Sequence, residues 1–157
     1  MHDEAGRSIV LTGATGFLGA FLMAGLLERG YHVTVLGRSL MDLRLSDRLA
    51  GLVRGFNIAD PGKRLCALEV DFSKKHLGLE DEAYGRLCAA ENKIIHCASD
   101  TSFAKRNRAR VMATNVNNLP AVLELAADAR AEHLYYVSTA YASGMHKRHL
   151  YGDTDYH

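Results

Sequence analysis

The 157-residue chain contains few of the residues that mark disordered, disulfide-stabilised or membrane-embedded proteins. It has no Trp, only 2 Pro and 3 Cys, and its 19 basic and 18 acidic residues leave a net charge of +1. A hydrophobic share of 48% excludes disorder for the bulk of the chain. The balanced charge provides no global field for binding nucleic acid. No apolar run approaches the about 20 residues that a membrane-spanning helix needs.

The cysteines and the N-terminus indicate a reducing compartment. Cys66, Cys88 and Cys97 are widely spaced and form no C-x-x-C motif, which predicts neither a disulfide framework nor a metal site. The polar residues 1–7 lack the apolar core of a signal peptide. We therefore expect a cytoplasmic protein, and a chain of this length typically forms one domain.

Strand-like and helix-like segments alternate along the chain, which predicts an α/β fold. Short apolar runs predict strands at residues 8–12, 31–36, 65–70, 93–98 and 133–138. Helical spacing predicts helices at residues 17–28, 40–53, 80–90 and 106–129. Pro120 should kink the last helix or divide it after Asn118, and Leu43, Leu49, Leu52 and Val53 should face the core. We expect a doubly wound, Rossmann-type parallel sheet of about five strands in the order 3-2-1-4-5.

A glycine-rich segment, TGATGFLG at residues 12–19, lies between the first strand and the first helix. Phosphate binds readily at a helix N-terminus, where unsatisfied N–H groups and a partial positive charge lie. Gly13 would allow the tight turn, Gly16 the close approach of a pyrophosphate, and Gly19 the packing of helix on sheet. The G-x-x-G-x-x-G spacing resembles that of the short-chain dehydrogenase/reductase superfamily.

Arg38 follows the second strand, where NAD enzymes of this design place an acidic residue on the ribose. An arginine there can pair with a 2′-phosphate. The sequence therefore favours NADP(H), with NAD(H) as the alternative.

Two further strand ends supply candidate residues. Asp71 and Phe72 resemble the acidic-apolar pair that borders adenine in the same superfamily, although an Asp here is also a common turn residue. Ala98 and Ser99 are small enough to let a cofactor pass after the fourth strand. His96 is interpreted as a core or cofactor-shelf residue.

The motifs TGATGFLG, HCASDTSF, Asn115-Val116 and YVSTAY together resemble the extended short-chain reductases. The likeness covers residues 9–142 and is strongest to the male-sterility or thioester-reductase type, which includes fatty acyl-CoA reductases. It implies an enzyme that uses NADPH to reduce an acyl thioester, held on CoA or a carrier protein, to an aldehyde or alcohol. It also implies Thr139 as the catalytic hydroxyl, Ser138 as its alternative, and Asn115 as a residue that helps to hold the active-site relay. The residues expected to bind the cofactor are Thr12, Gly13, Thr15, Gly16, Phe17, Leu18, Gly19, Arg38, Asp71, Phe72, Cys97, Ala98 and Ser99.

The sequence departs from the superfamily because no Tyr-x-x-x-Lys pair occurs in the 157 residues. We expect an NAD(P)-binding domain at residues 1–145 and a polar tail at 146–157, with the substrate-binding part absent. Such a chain should bind cofactor weakly and lack efficient catalysis. An exposed fifth strand would favour a homo-oligomer.

Several alternatives stay open at this point. The same motifs fit part of a nucleotide-sugar epimerase or dehydratase, a hydroxysteroid-type dehydrogenase, or a non-catalytic dinucleotide sensor. A basic cluster at residues 105–110 fits either an anionic carrier or an ordinary solvated helix face.

Overall fold

The computed structural model describes residues 7–90 and 93–139. The expected domain end at residue 145, the polar tail at 146–157 and the last two residues of the YVSTAY motif lie outside the described residues.

Five strands form one parallel sheet, as predicted. They are β1 (Ser8–Thr12), β2 (His32–Gly37), β3 (Leu65–Glu69), β4 (Lys93–His96) and β5 (His133–Tyr136). Their order is β3-β2-β1-β4-β5, which confirms the expected Rossmann-type topology. At the carboxyl edge, Thr12 pairs with Leu36 on one side and with His96 on the other. Gly37 pairs with Glu69 at the end of β2 and β3.

Helices cover both faces of the sheet. They are α1 (Phe17–Glu28), α2 (Leu45–Gly55), α3 (Asp81–Ala90), α4 (Arg108–Met112) and α5 (Leu119–Asp128). One core includes Leu11, Met23, Val35 and Leu49 and lies against α1 and α2. The other includes Val10, Tyr84, Ile94 and Leu125 and lies against α3 and α5. No helix within residues 7–90 and 93–139 is long and apolar enough to cross a membrane.

The end of α1 shows how local sequence fixes the chain path. The N–H of Gly30 donates to the carbonyl of Leu27, and that of Tyr31 donates to the carbonyl of Leu26, both at 3.0 Å. Gly30 has a φ of +79°, which a residue with a side chain rarely adopts. This Schellman arrangement ends the helix at the predicted glycine and turns the chain into β2.

Helix α2 begins five residues later than predicted. Leu40 and Leu43 exchange two backbone hydrogen bonds of 3.0 Å around Met41, whose φ is +49°. This turn takes the place of the first predicted helical turn and leaves Leu43 56% exposed. The prediction that Leu43 faces the core is therefore wrong, whereas Leu49 is buried as expected.

The long helix predicted for residues 106–129 is divided at Asn118, as the position of Pro120 predicts. A π-helical turn at Ala113–Asn117 precedes the division and was not predicted. In it the N–H of Asn118 donates to the carbonyl of Ala113, 3.1 Å away and five residues earlier. Single π-helical turns inside α-helices occur frequently at functional sites.

Candidate functional site

A crevice of about 590 Å³ lies at the carboxyl edge of the sheet. This volume falls within the range of small-molecule sites, and the carboxyl edge is where open α/β sheets bind ligands. The crevice walls are formed by residues from the ends of β1 to β4 and from α2 and the α4–α5 region. They are Gly13, Ala14, Thr15, Gly16, Val35, Leu36, Gly37, Arg38, Leu40, Leu45, Arg48, Val70, Asp71, Phe72, His96, Cys97, Ala98, Ser99, Thr114 and Asn118.

Two glycines of the loop after β1 are required by packing. Gly13 has a φ of +76°, and a Cβ there would lie 2.6 Å from the backbone of Cys97 and Ala98. A Cβ on Gly19 would lie 2.1 Å from the carbonyl oxygen of Gly13. A Cβ on Gly16 would meet that oxygen at 3.3 Å, a tight contact that requires the backbone to shift by a few tenths of an ångström. Packing within the chain thus explains Gly13 and Gly19 more fully than it explains Gly16.

The N-terminus of α1 offers backbone donors next to the crevice. Its N-cap residue, Gly16, makes no side-chain cap, and the first turn contains no acidic residue. The first backbone N–H groups of any α-helix lack an intrahelical acceptor. The amides of Phe17 and Leu18 therefore remain as donors for an anion, whereas the Phe17 side chain is 87% exposed.

Thr12 joins the glycine loop to the end of β4. Its hydroxyl oxygen lies 2.8 Å from Nδ1 of His96 and accepts hydrogen bonds of 3.2 Å from the backbone N–H groups of Cys97 and Ala98. Both side chains are buried, with exposures of 1% for Thr12 and 5% for His96. These bonds fix the backbone of residues 97 and 98 where it forms the crevice wall.

The hydrogen count at Thr12 sets the tautomer of His96. A hydroxyl has two lone pairs and one hydrogen. The Thr12 hydroxyl oxygen accepts from the Ala98 amide and shares the Cys97 amide with the Thr12 backbone carbonyl. Its hydrogen therefore donates to Nδ1 of His96, and Nε2 carries the ring proton. Burial lowers the pKa of His96, which favours this neutral form. The ring also stacks on Tyr136, with centroids 5.5 Å apart.

Two arginines face the crevice from β2 and α2. Arg38 is exposed. Beside a hydrogen bond from Arg110, the charge of the Arg38 guanidinium contributes to the lowered pKa of Asp100. Arg48 is half-buried, and its guanidinium donates a 3.0 Å hydrogen bond to the carbonyl of Arg38. This pair makes one end of the crevice cationic.

Asp71 and Phe72 lie at the crevice end of β3. The Asp71 carboxylate accepts hydrogen bonds from the Ser73 hydroxyl at 2.6 Å and from the Ser73 backbone N–H at 3.0 Å. These bonds lower the pKa of Asp71. Asp71 thus forms a turn and lines the crevice at the same time.

Asn115 stabilises the loop after β4. Its side-chain oxygen accepts from the N–H of Asp100 at 2.8 Å, and its amide donates to the carbonyl of Asp100 at 3.0 Å. Arg110 forms an ion pair of 2.5 Å with the Asp100 carboxylate and lowers its pKa. One member of the basic cluster is therefore already paired with a carboxylate.

The structure brings nine of the predicted cofactor residues together around the crevice. They are Gly13, Thr15, Gly16, Arg38, Asp71, Phe72, Cys97, Ala98 and Ser99. Thr12 and Gly19 lie beneath the loop, and Phe17 and Leu18 begin α1. Ser138 and Thr139 follow β5 at the same sheet edge but do not line the crevice, nor does Asn115. Among the described residues no cluster of His, Cys, Asp or Glu could hold a metal ion.

Sequence reasoning missed Arg48, Thr114 and Asn118 as crevice residues. Arg48 has several arginine neighbours along the chain, and only the position of α2 distinguishes it from them. Thr114 and Asn118 face the crevice around the π-helical turn, which the apolar periodicity did not reveal. The one signal that could have identified Thr114 and Asn118 is the run of polar residues just before Pro120, which interrupts the helical spacing of apolar residues.

Comparison with protein families identifies one family. A family model for NAD-binding proteins, described as male sterility protein, matches residues 11–155.

Curated relatives are much longer than this chain. Equisetin synthetase of Fusarium heterosporum is 30% identical over 152 residues, which cover 90% of this chain and 4% of that protein. Clavatol synthase of Penicillium crustosum is 35% identical over 110 residues, which cover 67% of this chain and 4% of that protein. The chain therefore spans about 4% of the length of these relatives.

Solved structures include two reductase domains. The terminal R domain of the myxalamid PKS-NRPS biosynthetic pathway matches with a TM-score of 0.79 and 28% identity, over 96% of this chain and 39% of that one. An R domain of a nonribosomal peptide synthetase from Mycobacterium tuberculosis matches with a TM-score of 0.64 and 28% identity, over 88% and 34%. UDP-glucuronic acid 4-epimerase of Bacillus cereus, at 18% identity and a TM-score of 0.64, shares the fold.

Proposed function

The chain belongs to the male sterility protein family, and from this premise we propose that it is the dinucleotide-binding part of a reductase. The proposed reaction transfers hydride to an acyl thioester, held on a carrier protein or on CoA, and gives an aldehyde or alcohol. The similarity to R domains of peptide and polyketide synthetases supports this substrate class. The epimerase alternative has support from the shared fold alone.

The geometry of the glycine loop is the observation that best supports binding of a dinucleotide. Gly13 and Gly19 hold the loop against β4 and α1, so the uncapped N-terminus of α1 faces the crevice. At Gly16 a side chain would project where the closest approach of a pyrophosphate is expected. A crevice of about 590 Å³ with donors at one side and a cation pair at one end fits such a ligand.

We propose NADP(H) in preference to NAD(H). A 2′-phosphate carries negative charge and several acceptor oxygens, which suit a guanidinium. Arg38 lies on the crevice lip, and Arg48 supports its backbone from α2. The end of β2 itself contains no carboxylate that would repel the phosphate.

The residues after β5 would act on the substrate. A bound NADPH supplies the hydride, and we propose that the Thr139 hydroxyl donates to the thioester oxygen where negative charge develops. Ser138 is the alternative donor at this strand end, and Asn115 would position the loop that faces it. Because the chain contains no Tyr-x-x-x-Lys pair, we expect it to bind dinucleotide weakly and not to turn over by itself.

The proposal also covers compartment and assembly. We propose the cytoplasm, in keeping with reduced, widely spaced cysteines. β5 is the last strand of the described sheet, and its Tyr135 and Tyr136 are 52% and 45% exposed. An open sheet edge favours association of copies. Sedimentation of the chain at several concentrations tests this: a rising mass supports it, and a constant monomer mass contradicts it.

Calorimetric titration with NADP⁺, NAD⁺ and a UDP-sugar tests the proposed site. We expect NADP⁺ to bind more tightly than NAD⁺ and the UDP-sugar not to bind. Absence of binding by either dinucleotide would contradict the proposal. The absorbance of NADPH, followed in the presence of an acyl-CoA, tests the expectation that the chain does not turn over by itself. Consumption of NADPH would contradict that expectation.

A further inference from the structure

Glu69, the last residue of β3, holds the segment between β2 and α2. One carboxylate oxygen, Oε1, accepts a hydrogen bond of 2.6 Å from the Ser39 hydroxyl and one of 2.9 Å from the backbone N–H of Leu45. Ser39 directly follows Arg38, and Leu45 is the first residue of α2. The carboxylate is therefore anchored beside the cationic end of the crevice.

This carboxylate supplies the cap that α2 otherwise lacks. The N-cap residue of α2, Arg44, makes no side-chain cap. The hydrogen bonds from Ser39 and Leu45, together with the charge of Arg44, lower the pKa of Glu69. Glu69 is thus ionised at neutral pH, and its negative charge lies at the positive end of α2.

The bonds to Glu69 also occupy two donors next to the crevice end. Leu45 lines the crevice, and Ser39 lies between the two lining residues Arg38 and Leu40. Because the Ser39 hydroxyl donates its hydrogen to Glu69, only its lone pairs remain for a ligand. Those lone pairs can accept from a ribose hydroxyl but repel a phosphate. The N–H of Leu45 is likewise occupied, although Leu45 lines the crevice.

We propose that Glu69 is a specificity-determining residue that weakens binding of a 2′-phosphate relative to a 2′-hydroxyl. It opposes Arg38 and Arg48 through its charge and through the two donors that it occupies. The inference rests on the proposed dinucleotide site. It predicts that discrimination between NADP(H) and NAD(H) is set by three residues on β2, α2 and β3 rather than by Arg38 alone.

The variant Glu69→Gln tests this by removing the charge and keeping an oxygen that can accept from Leu45. We expect the Kd of NADP⁺ to fall about three- to fivefold, from the loss of one repulsion across solvent, with the Kd of NAD⁺ unchanged. High salt should reduce the difference in the Kd of NADP⁺ between the parent and Glu69→Gln, since exposed charges are screened. Glu124→Gln, on the exposed side of α5 and away from the crevice, is the matched control and should change neither Kd.

A second pair of ligands separates the possible failures. Binding of 2′,5′-ADP and 5′-ADP is measured on the same proteins, because these fragments need only the adenosine end of the site. If Glu69→Gln changes the Kd values of both ligands of a pair by the same factor, or changes neither, their ratio stays constant and the role of Glu69 is overturned. If the parent chain prefers NAD⁺ but Glu69→Gln still shifts the ratio towards NADP⁺, the preference proposed above is wrong and the role of Glu69 stands. If no nucleotide binds, the proposed function fails and this inference fails with it.

Discussion

The Thr12 hydroxyl lies 2.8 Å from Nδ1 of His96 and joins β1 to β4 at the carboxyl edge of the sheet. Since Thr12 also accepts from the amides of Cys97 and Ala98, one buried hydroxyl fixes the wall of the crevice next to the glycine loop. The position of the candidate site therefore depends on a side chain that does not itself line the crevice.

Replacing Thr12 by Val should destabilise the fold by about 2–4 kcal/mol, because it leaves the Ala98 amide and a ring nitrogen without their partner. The Cys97 amide keeps its hydrogen bond to the Thr12 backbone carbonyl. Urea denaturation measures this free energy of unfolding. Thr12→Ser keeps the hydroxyl and is the control. A Val variant as stable as the parent would show that the three bonds do not stabilise the fold.

His96 should make stability depend on pH. Burial lowers its pKa in the folded chain, so below the ordinary value of about 6.5 the unfolded chain takes up a proton that the folded chain does not. His96 therefore reduces stability as the pH falls from about 6.5 towards its lower folded pKa. Between about pH 7.5 and about pH 5, the free energy of unfolding should fall further for the parent than for His96→Asn. An equal loss in the two proteins would contradict this assignment.

Substitutions at two glycines of the loop should separate effects on stability from effects on NADP⁺ binding. Gly19→Ala should cost about 3 kcal/mol or prevent folding, because its methyl group would collide with the Gly13 carbonyl. Gly16→Ala should unfold at nearly the parent's urea concentration but bind NADP⁺ at least about tenfold more weakly. Gly51→Ala, on α2 with no neighbouring atom within 4 Å, is the control for binding, and it should raise the free energy of unfolding by about 0.5–1 kcal/mol because alanine favours a helix interior. Undiminished NADP⁺ binding by Gly16→Ala would refute the close approach of the pyrophosphate.

Arg38 should discriminate between the two dinucleotides. We expect Arg38→Gln to raise the Kd of NADP⁺ about tenfold, from the loss of a charge-assisted contact, and to leave the Kd of NAD⁺ within about twofold. Arg54→Gln, near the other end of α2, removes the same charge away from the crevice. Parallel weakening of both dinucleotides by Arg38→Gln would indicate a general effect on the loop instead of recognition of the 2′-phosphate.

The strand order could be predicted because apolar strands alternate with helices along the chain and a glycine-rich loop follows the first strand. Gly13 and Gly19 fill positions where any side chain would meet backbone atoms, so the motif encodes the loop geometry directly. The boundary at Asn118 was likewise predictable, because proline cannot continue a helix without a break.

Features that depend on contacts between distant segments could not be predicted. Leu43 has helical spacing, yet its backbone pairs with Leu40 and keeps it in the solvent. Glu69 and Ser39 are 30 residues apart, and no local pattern indicates that they meet. The tautomer of His96 follows from a hydroxyl 84 positions away in the sequence. Such relationships are set by strand register and by the direction of side chains, which the sequence pattern does not specify.

Amide chemical shifts during an NADP⁺ titration of the isotopically labelled chain test the central claim most directly. The account predicts that the largest shifts fall on Gly16, Phe17 and Leu18, on Arg38, and on Ala98. Residues on the far faces of α3 and α5 should hardly change. Shifts confined to another surface, or no shifts at saturating NADP⁺, would contradict a dinucleotide site in this crevice.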